Sequence, residues 1–99
     1  MKVSSAWKHP QWIQVLRMYR EYAHRVNQFP NPRIAHVELE KTKTILRARA
    51  DKAETSDELL ISEAKRSRAY LRYAFQEAER TVQLAKYRHL KRTYYDKKT

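Results

Sequence analysis

The chain has 99 residues and a formal net charge of +11, and it contains neither glycine nor cysteine. Glycine averages about 7% of ordinary proteins; its absence excludes phosphate-cradling loops and dinucleotide-binding turns, which need a backbone free of Cβ. The lack of cysteine excludes disulfides, thiolate metal sites and a cysteine nucleophile, and no apolar run is long enough to cross a membrane.

Three helices are predicted in chain order. The first starts near Pro10, since proline is favoured in a first helical turn, where its missing N–H would be unpaired anyway. Its apolar positions Trp12, Ile13, Val15, Leu16, Tyr19, Tyr22, Ala23 and Val26 recur at the helical period. Phe29-Pro30-Asn31-Pro32 ends it, because each proline drives the preceding residue out of the α region. Asn31 then caps a second helix with Pro32 in its first turn, running to about Lys52. This helix carries two adjacent apolar stripes. One is Ile34, Val37, Ile45 and Ala48, interrupted by Lys41; the other is Leu39, Leu46, Ala50 and Ala53. Two stripes imply contacts on two sides, from neighbouring helices or a partner, or else one broad core face with Lys41 snorkelling at its edge.

The third helix opens at Thr55-Ser56-Asp57-Glu58, where Thr55 and Glu58 have capping-box spacing. Its stripe Leu60, Ala64, Ser67, Leu71, Ala74, Ala78, Val82 and Ala85 steps by threes and fours, as a bundle seam does. Phe75 flanks the stripe, and the small residues at 64, 67, 74 and 78 leave room for a close approach. Past Ala85 the apolar pattern fades into a basic, tyrosine-rich segment, so the helix should overhang the bundle. The expected fold is therefore all-α: a three-helix antiparallel bundle with an extended third helix. It divides into an N-terminal extension (1–9), the bundle (10–85) and a basic C-terminal tail (86–99).

Charge is concentrated at the two ends. Residues 1–28 carry net +4 and residues 79–99 net +5, while 55–78 are neutral. That distribution points to an acidic or polyanionic partner. Catalysis lacks a candidate: His9, His24, His36 and His89 have no metal-ligand spacing, Glu38 and Glu40 point to different sides of a helix, and Asp57 and Glu58 suit a helix N-terminus. The chain is expected to be no enzyme and to hold no metal.

The run Val15-Leu16-Arg17-Met18-Tyr19-Arg20 closes on a Tyr-Arg pair. Phe29 with its prolines follows nine residues later, then a basic second helix and a long third one. This order resembles the LYR-motif family of mitochondrial small proteins over residues 12 to about 85. The motif positions are Met18, Tyr19, Arg20 and Phe29. There are departures. Met18 stands where the family has Leu, a volume-conserving swap. Leu46-Arg47 replaces a Phe-Arg pair, and Arg49 stands in place of an Asn.

The resemblance implies an adaptor for the acidic mitochondrial acyl carrier protein. No cofactor would be bound directly; the acyl-phosphopantetheine of the carrier would enter a tunnel between the helices. Leu16, Met18, Tyr19, Leu46, Leu71 and Phe75 are then expected along the acyl chain, and Arg20, Lys43, Arg47 and Arg49 at the carrier. Phe29 is read as a plug over the bundle end. The adaptor would dock on a large mitochondrial assembly, such as respiratory complex I or the mitochondrial ribosome, as accessory subunit or assembly factor. Its place would be the matrix or the matrix side of the inner membrane. An N-terminus with Lys and Ser and no acid before Glu21 is compatible with import, though short of Arg for a cleavable transit peptide. The alternative is a basic helical RNA-binding protein of the mitochondrial ribosome that does not bind the carrier. Its tail would meet phosphates with Lys and Arg and stack bases on Tyr.

Overall fold

A computed structural model describes the backbone of residues 5–96 and the side chains of residues 6–88. A 3-10 turn, Ser5–Lys8, precedes α1 (Pro10–Val26), α2 (Pro32–Ala53) and α3 (Asp57–Asp96), and there is no strand among the described residues. Cross-contacts set the directions. Trp12 meets Leu60 and Arg25 meets Glu79, so α1 and α3 run parallel. Lys52 meets Glu63 and Thr42 meets Tyr22, so α2 runs antiparallel to both. The result is the expected up-down-up bundle.

The helix ends follow from local chemistry. His9 is extended and its Nδ1 accepts the Gln11 N–H at 3.2 Å, capping α1 ahead of Pro10. Asn31 caps α2 in the same way, its Oδ1 accepting the Arg33 N–H at 2.9 Å. The third cap falls one residue later than its sequence spacing implied. Ser56 Oγ accepts the Leu59 N–H at 3.1 Å, whereas the Thr55 hydroxyl donates back to the Lys52 carbonyl at 2.7 Å. Thr55 is thus used to finish α2, and Thr55 and Glu58 make no capping box.

The core is one cluster drawn from all three helices and the N-terminal turn. From α1 come Trp12, Val15, Tyr22 and Val26, from α2 Ala35, Leu46, Ala50 and Ala53, and from α3 Ala64, Leu71 and Ala78. The α3 stripe faces inward as its spacing predicts: Ala64, Ser67, Leu71, Ala78 and Val82 are buried, and Leu60, Ala74 and Ala85 half-buried. The room beside Ala64 and Ser67 is filled by the protein's own helices, whereas Ala74 and Ala78 line a groove between α2 and α3. Ala50, Ala53 and Ala64 are sealed in the same core, where small side chains let two backbones approach closely.

The two stripes of α2 are not equivalent. Leu46, Ala50 and Ala53 face the core, with Leu39 packed at its edge. Of the other stripe, Ile34, Val37 and Ala48 are exposed and Ile45 is half-buried. Lys41 is exposed and lines the groove between α2 and α3 beside Tyr22 and Phe29, at the edge of the core.

Both α1 and α2 pack along α3, while α1 and α2 touch each other sparsely. At 1.5 Å per residue, α3 is about 60 Å long, and the whole fold measures 64 × 24 × 15 Å. Beyond Val82 its side chains through Arg88 are exposed apart from half-buried Ala85, so the helix overhangs the bundle. Of the basic tail 86–99, Lys86, Tyr87 and Arg88 have described side chains; residues 97–99 lie outside the described residues. Within the expected N-terminal extension, Ala6 is buried and Trp7 packs against the core, its ring 5.2 Å from that of Trp12 and edge-on to it.

Candidate functional site between the first two helices

The sparse contact of α1 with α2 leaves a cleft of about 200 Å³. Leu16 and Tyr19 line it from α1, and Lys43, Leu46 and Arg47 from α2; Trp7 of the N-terminal turn closes one end. Helical spacing explains the set. Positions 16 and 19 are one turn apart on α1, as are 43, 46 and 47 on α2, so each group shares one face. The interior is apolar and the mouth is charged. Lys43 Nζ lies 3.6 Å from Glu40, and Arg47 is exposed, so the cleft lining carries two cations, one of them paired.

Other sequence-predicted residues lie elsewhere. Leu71 is sealed inside the core, and Met18 packs against it, half-buried. Phe75 sits on the far side of α1, below the Arg25 guanidinium at 5.7 Å from the ring centroid. There it lines a shallow depression with Arg20 and His24. Arg49 lies over Tyr70 at 5.4 Å, half-buried, with Nη1 enclosed and unpaired. Phe29 packs half-buried against the core and lines a second groove, between α2 and α3. The structure therefore brings together Leu16, Tyr19, Leu46, Lys43 and Arg47, and leaves Met18, Leu71, Phe75, Arg20 and Arg49 apart from them. In place of a tunnel through all three helices there is an open cleft between two.

Three features were not foreseen. Trp7 is one; its signal was a large aromatic in an otherwise polar segment. Another is the bond from the buried Thr42 hydroxyl to Tyr22 Oη at 3.1 Å, which ties α1 to α2 beside the cleft. Polar Thr42 sits in the inward stripe between Leu39 and Leu46, at helical spacing from both. The third is Glu63, buried between Lys52 at 3.6 Å and Arg66 at 3.3 Å. Nothing in the sequence set Glu63 apart from the other acidic residues.

Burial raises the Tyr19 hydroxyl above the ordinary tyrosine pKa, with Tyr22 and Glu40 adding to it and Arg47 opposing. Burial also raises Tyr22, against the hydrogen bond from Thr42. Both phenols stay protonated longer in the folded chain than in the unfolded one. Their contribution to stability is complete below the unfolded value, about pH 10, and is lost as pH climbs through the raised folded values. The melting temperature of Tyr19→Phe should consequently fall less steeply than that of the native chain between about pH 9 and pH 11. Equal slopes would mean that Tyr19 ionises as freely folded as unfolded.

Among the described residues no group of three His, Asp or Glu side chains is placed to hold a metal ion, and no helix is long and apolar enough to cross a membrane. Chemically the cleft is an apolar slot formed by Trp7, Leu16, Tyr19 and Leu46, with Lys43 and Arg47 also lining it. Set against models of known protein families, curated proteins and solved structures, the chain matches none of them.

Proposed function

We propose that the protein is a non-catalytic adaptor of the LYR-motif kind, which takes up the acyl chain of an acidic mitochondrial acyl carrier protein. The observation that carries this reading is the α1–α2 cleft, with Leu16, Tyr19 and Leu46 inside and Lys43 and Arg47 at its mouth. An apolar cavity of about 150 Å³ holds one benzene, so this cleft has room for several methylenes. Each contributes about 0.8 kcal/mol on leaving water. A longer chain needs α1 and α2 to part further; their mutual contact is sparse, and the Thr42–Tyr22 hydrogen bond is what resists that separation. Lys43 and Arg47 meet the acidic carrier, giving orientation and a fast encounter. Arg49, held over Tyr70, supports the α2–α3 contact, and Arg20 is left for the rim of the carrier interface.

Bound this way, the adaptor joins the carrier to a large mitochondrial assembly, as accessory subunit or assembly factor, on the matrix side. Respiratory complex I and the mitochondrial ribosome are the two hosts in view. Native mass spectrometry of the chain co-expressed with its mitochondrial carrier tests the proposal. The expected result is a one-to-one complex carrying an acyl-phosphopantetheine mass. With Lys43→Glu and Arg47→Glu combined, affinity should drop by at least about tenfold, equivalent to ~1.4 kcal/mol, with helix content unchanged. A bare chain beside an acylated carrier would overturn the reading. Retention of RNA at ~0.15 M salt with a steep salt slope would then favour the RNA-binding alternative.

A further inference from the structure

A second heptad-like stripe runs along α3, on the side turned away from the bundle. Tyr73, Glu77, Arg80, Leu84 and Tyr87 alternate steps of four and three. All five are exposed, with Tyr73 at 64%, Leu84 at 49% and Tyr87 at 61%. At ~100° per residue this stripe lies about 160° round the helix from Leu71, Ala78 and Val82, which are buried. The protein thus leaves a row of large apolar residues uncovered, with one acid and one base at its centre.

We infer that this face pairs with the same face of a second copy, the two α3 helices antiparallel about a two-fold axis. In an antiparallel coiled-coil seam each a position meets a d position of the other helix. Taking Glu77 and Leu84 as a, and Tyr73, Arg80 and Tyr87 as d, one register matches every position. Tyr73 meets Leu84 of the other copy, Glu77 meets Arg80, Arg80 meets Glu77 and Leu84 meets Tyr73. The next pair outward is Tyr87 with Tyr70. An isologous contact of this kind closes on itself and leaves no free end.

Charge and surroundings favour a second copy over a polyanion. Glu77 in the middle of the stripe would repel a phosphate backbone. Over the seam, residues 70–87, Arg72, Arg80 and Lys86 stand against Glu77 and Glu79, net +1, so the seam carries little of the mutual repulsion of the basic chain ends. The flanking positions Gln76, Thr81 and Gln83 are uncharged and add no like-charge clash. Beside the stripe lies the groove between α2 and α3, about 340 Å³. Ile34, 54% exposed, stands on its wall with Phe29 and Tyr73. Glu38 and Lys41 line it as well, and its Phe29, Ile34 and Tyr73 side gives Leu84 of the other copy a seat. Glu77 and Arg80 already touch within one helix at 3.8 Å, both exposed; pairing gives each a second partner across the axis.

Sedimentation equilibrium of the full chain tests the inference. The expected result is a reversible monomer–dimer equilibrium in the micromolar range. Glu77→Arg alone and Arg80→Glu alone should each weaken it by about tenfold or more, the order of a close charge pair across an interface. The two reversals combined should restore it, with helix content equal in all variants. Because the chain has no cysteine, register can be read directly: a mixture of Tyr73→Cys chains and Leu84→Cys chains should form the mixed disulfide dimer on mild oxidation. A chain that stays monomeric at every concentration would overturn the inference. So would a Tyr73→Cys chain that links to itself in preference, or a double reversal that fails to restore pairing. A monomer that binds RNA through Tyr73 and Tyr87 would assign the face to nucleic acid instead.

Discussion

Trp12→Ala is expected to destabilise the bundle by about 3–5 kcal/mol, the usual cost of emptying a large aromatic site. The indole is fully buried and packs edge-on against Trp7. Its Nε1 donates to the Leu60 carbonyl at 3.0 Å, so one side chain joins the N-terminal turn, α1 and the first turns of α3. Small domains have ~5–15 kcal/mol in total, and the loss would therefore take a large share. Trp12→Phe keeps most of the ring and loses the donor, for about 1 kcal/mol. Urea unfolding followed by circular dichroism measures both. Trp7 remains as the one tryptophan in either variant and reports whether the N-terminal turn comes loose first. Two variants of equal stability would mean that the core closes over the missing indole.

Leu46→Ala is expected to cost about 2–5 kcal/mol in the free protein. Leu46 is both core and cleft wall: 3% exposed, and facing Leu16 and Tyr19 across the gap. Truncating it opens the core into the cleft, and the two volumes merge. If the cleft holds an acyl chain, the merged space accepts more of it, and the carrier complex of Leu46→Ala should regain part of the lost stability. Comparing denaturation midpoints of the free and carrier-bound variant with those of the native chain measures the recovery. An equal loss in both states would mean that the ligand does not reach Leu46.

The sequence made some of this arrangement legible and hid the rest, for physical reasons. The α3 stripe was readable because its residues step by threes and fours from Leu60 to Ala85 with no breaker, and every one of them is apolar or small. The starts of α1 and α2 were readable because Pro10 and the Asn31-Pro32 pair carry their own capping signals. The inward face of α2 was not, because both of its stripes have helical spacing. What decides is how closely the helices approach. Ala50 and Ala53 allow near contact with the small residues of α3, whereas Ile34 and Val37 would hold the two helices apart. The α3 cap was off by one because Thr55 and Ser56 both offer a hydroxyl, and Thr55 is taken by the end of α2. Of the site, Leu16, Tyr19, Leu46, Lys43 and Arg47 were named from the family resemblance and do lie together. Leu71 and Phe75 were named on the same footing and do not. Periodicity says that a residue faces inward, but not whether it meets a sealed core or an open cleft.

The length of α3 also fixes an angle. Its first part is clamped by α1 and α2, and its last part stands clear of both, yet the two are one uninterrupted helix from Asp57 to Asp96. Such a rod transmits rotation as well as distance. Inserting a single residue after Val82 would swing Leu84 and Tyr87 by ~100° relative to the cleft, toward a different side of the molecule, whereas inserting seven would bring them back to within about 20° of their direction. The bundle thus acts as the mount and the overhang as a pointer, and whatever meets the far end meets it at an azimuth set by the core.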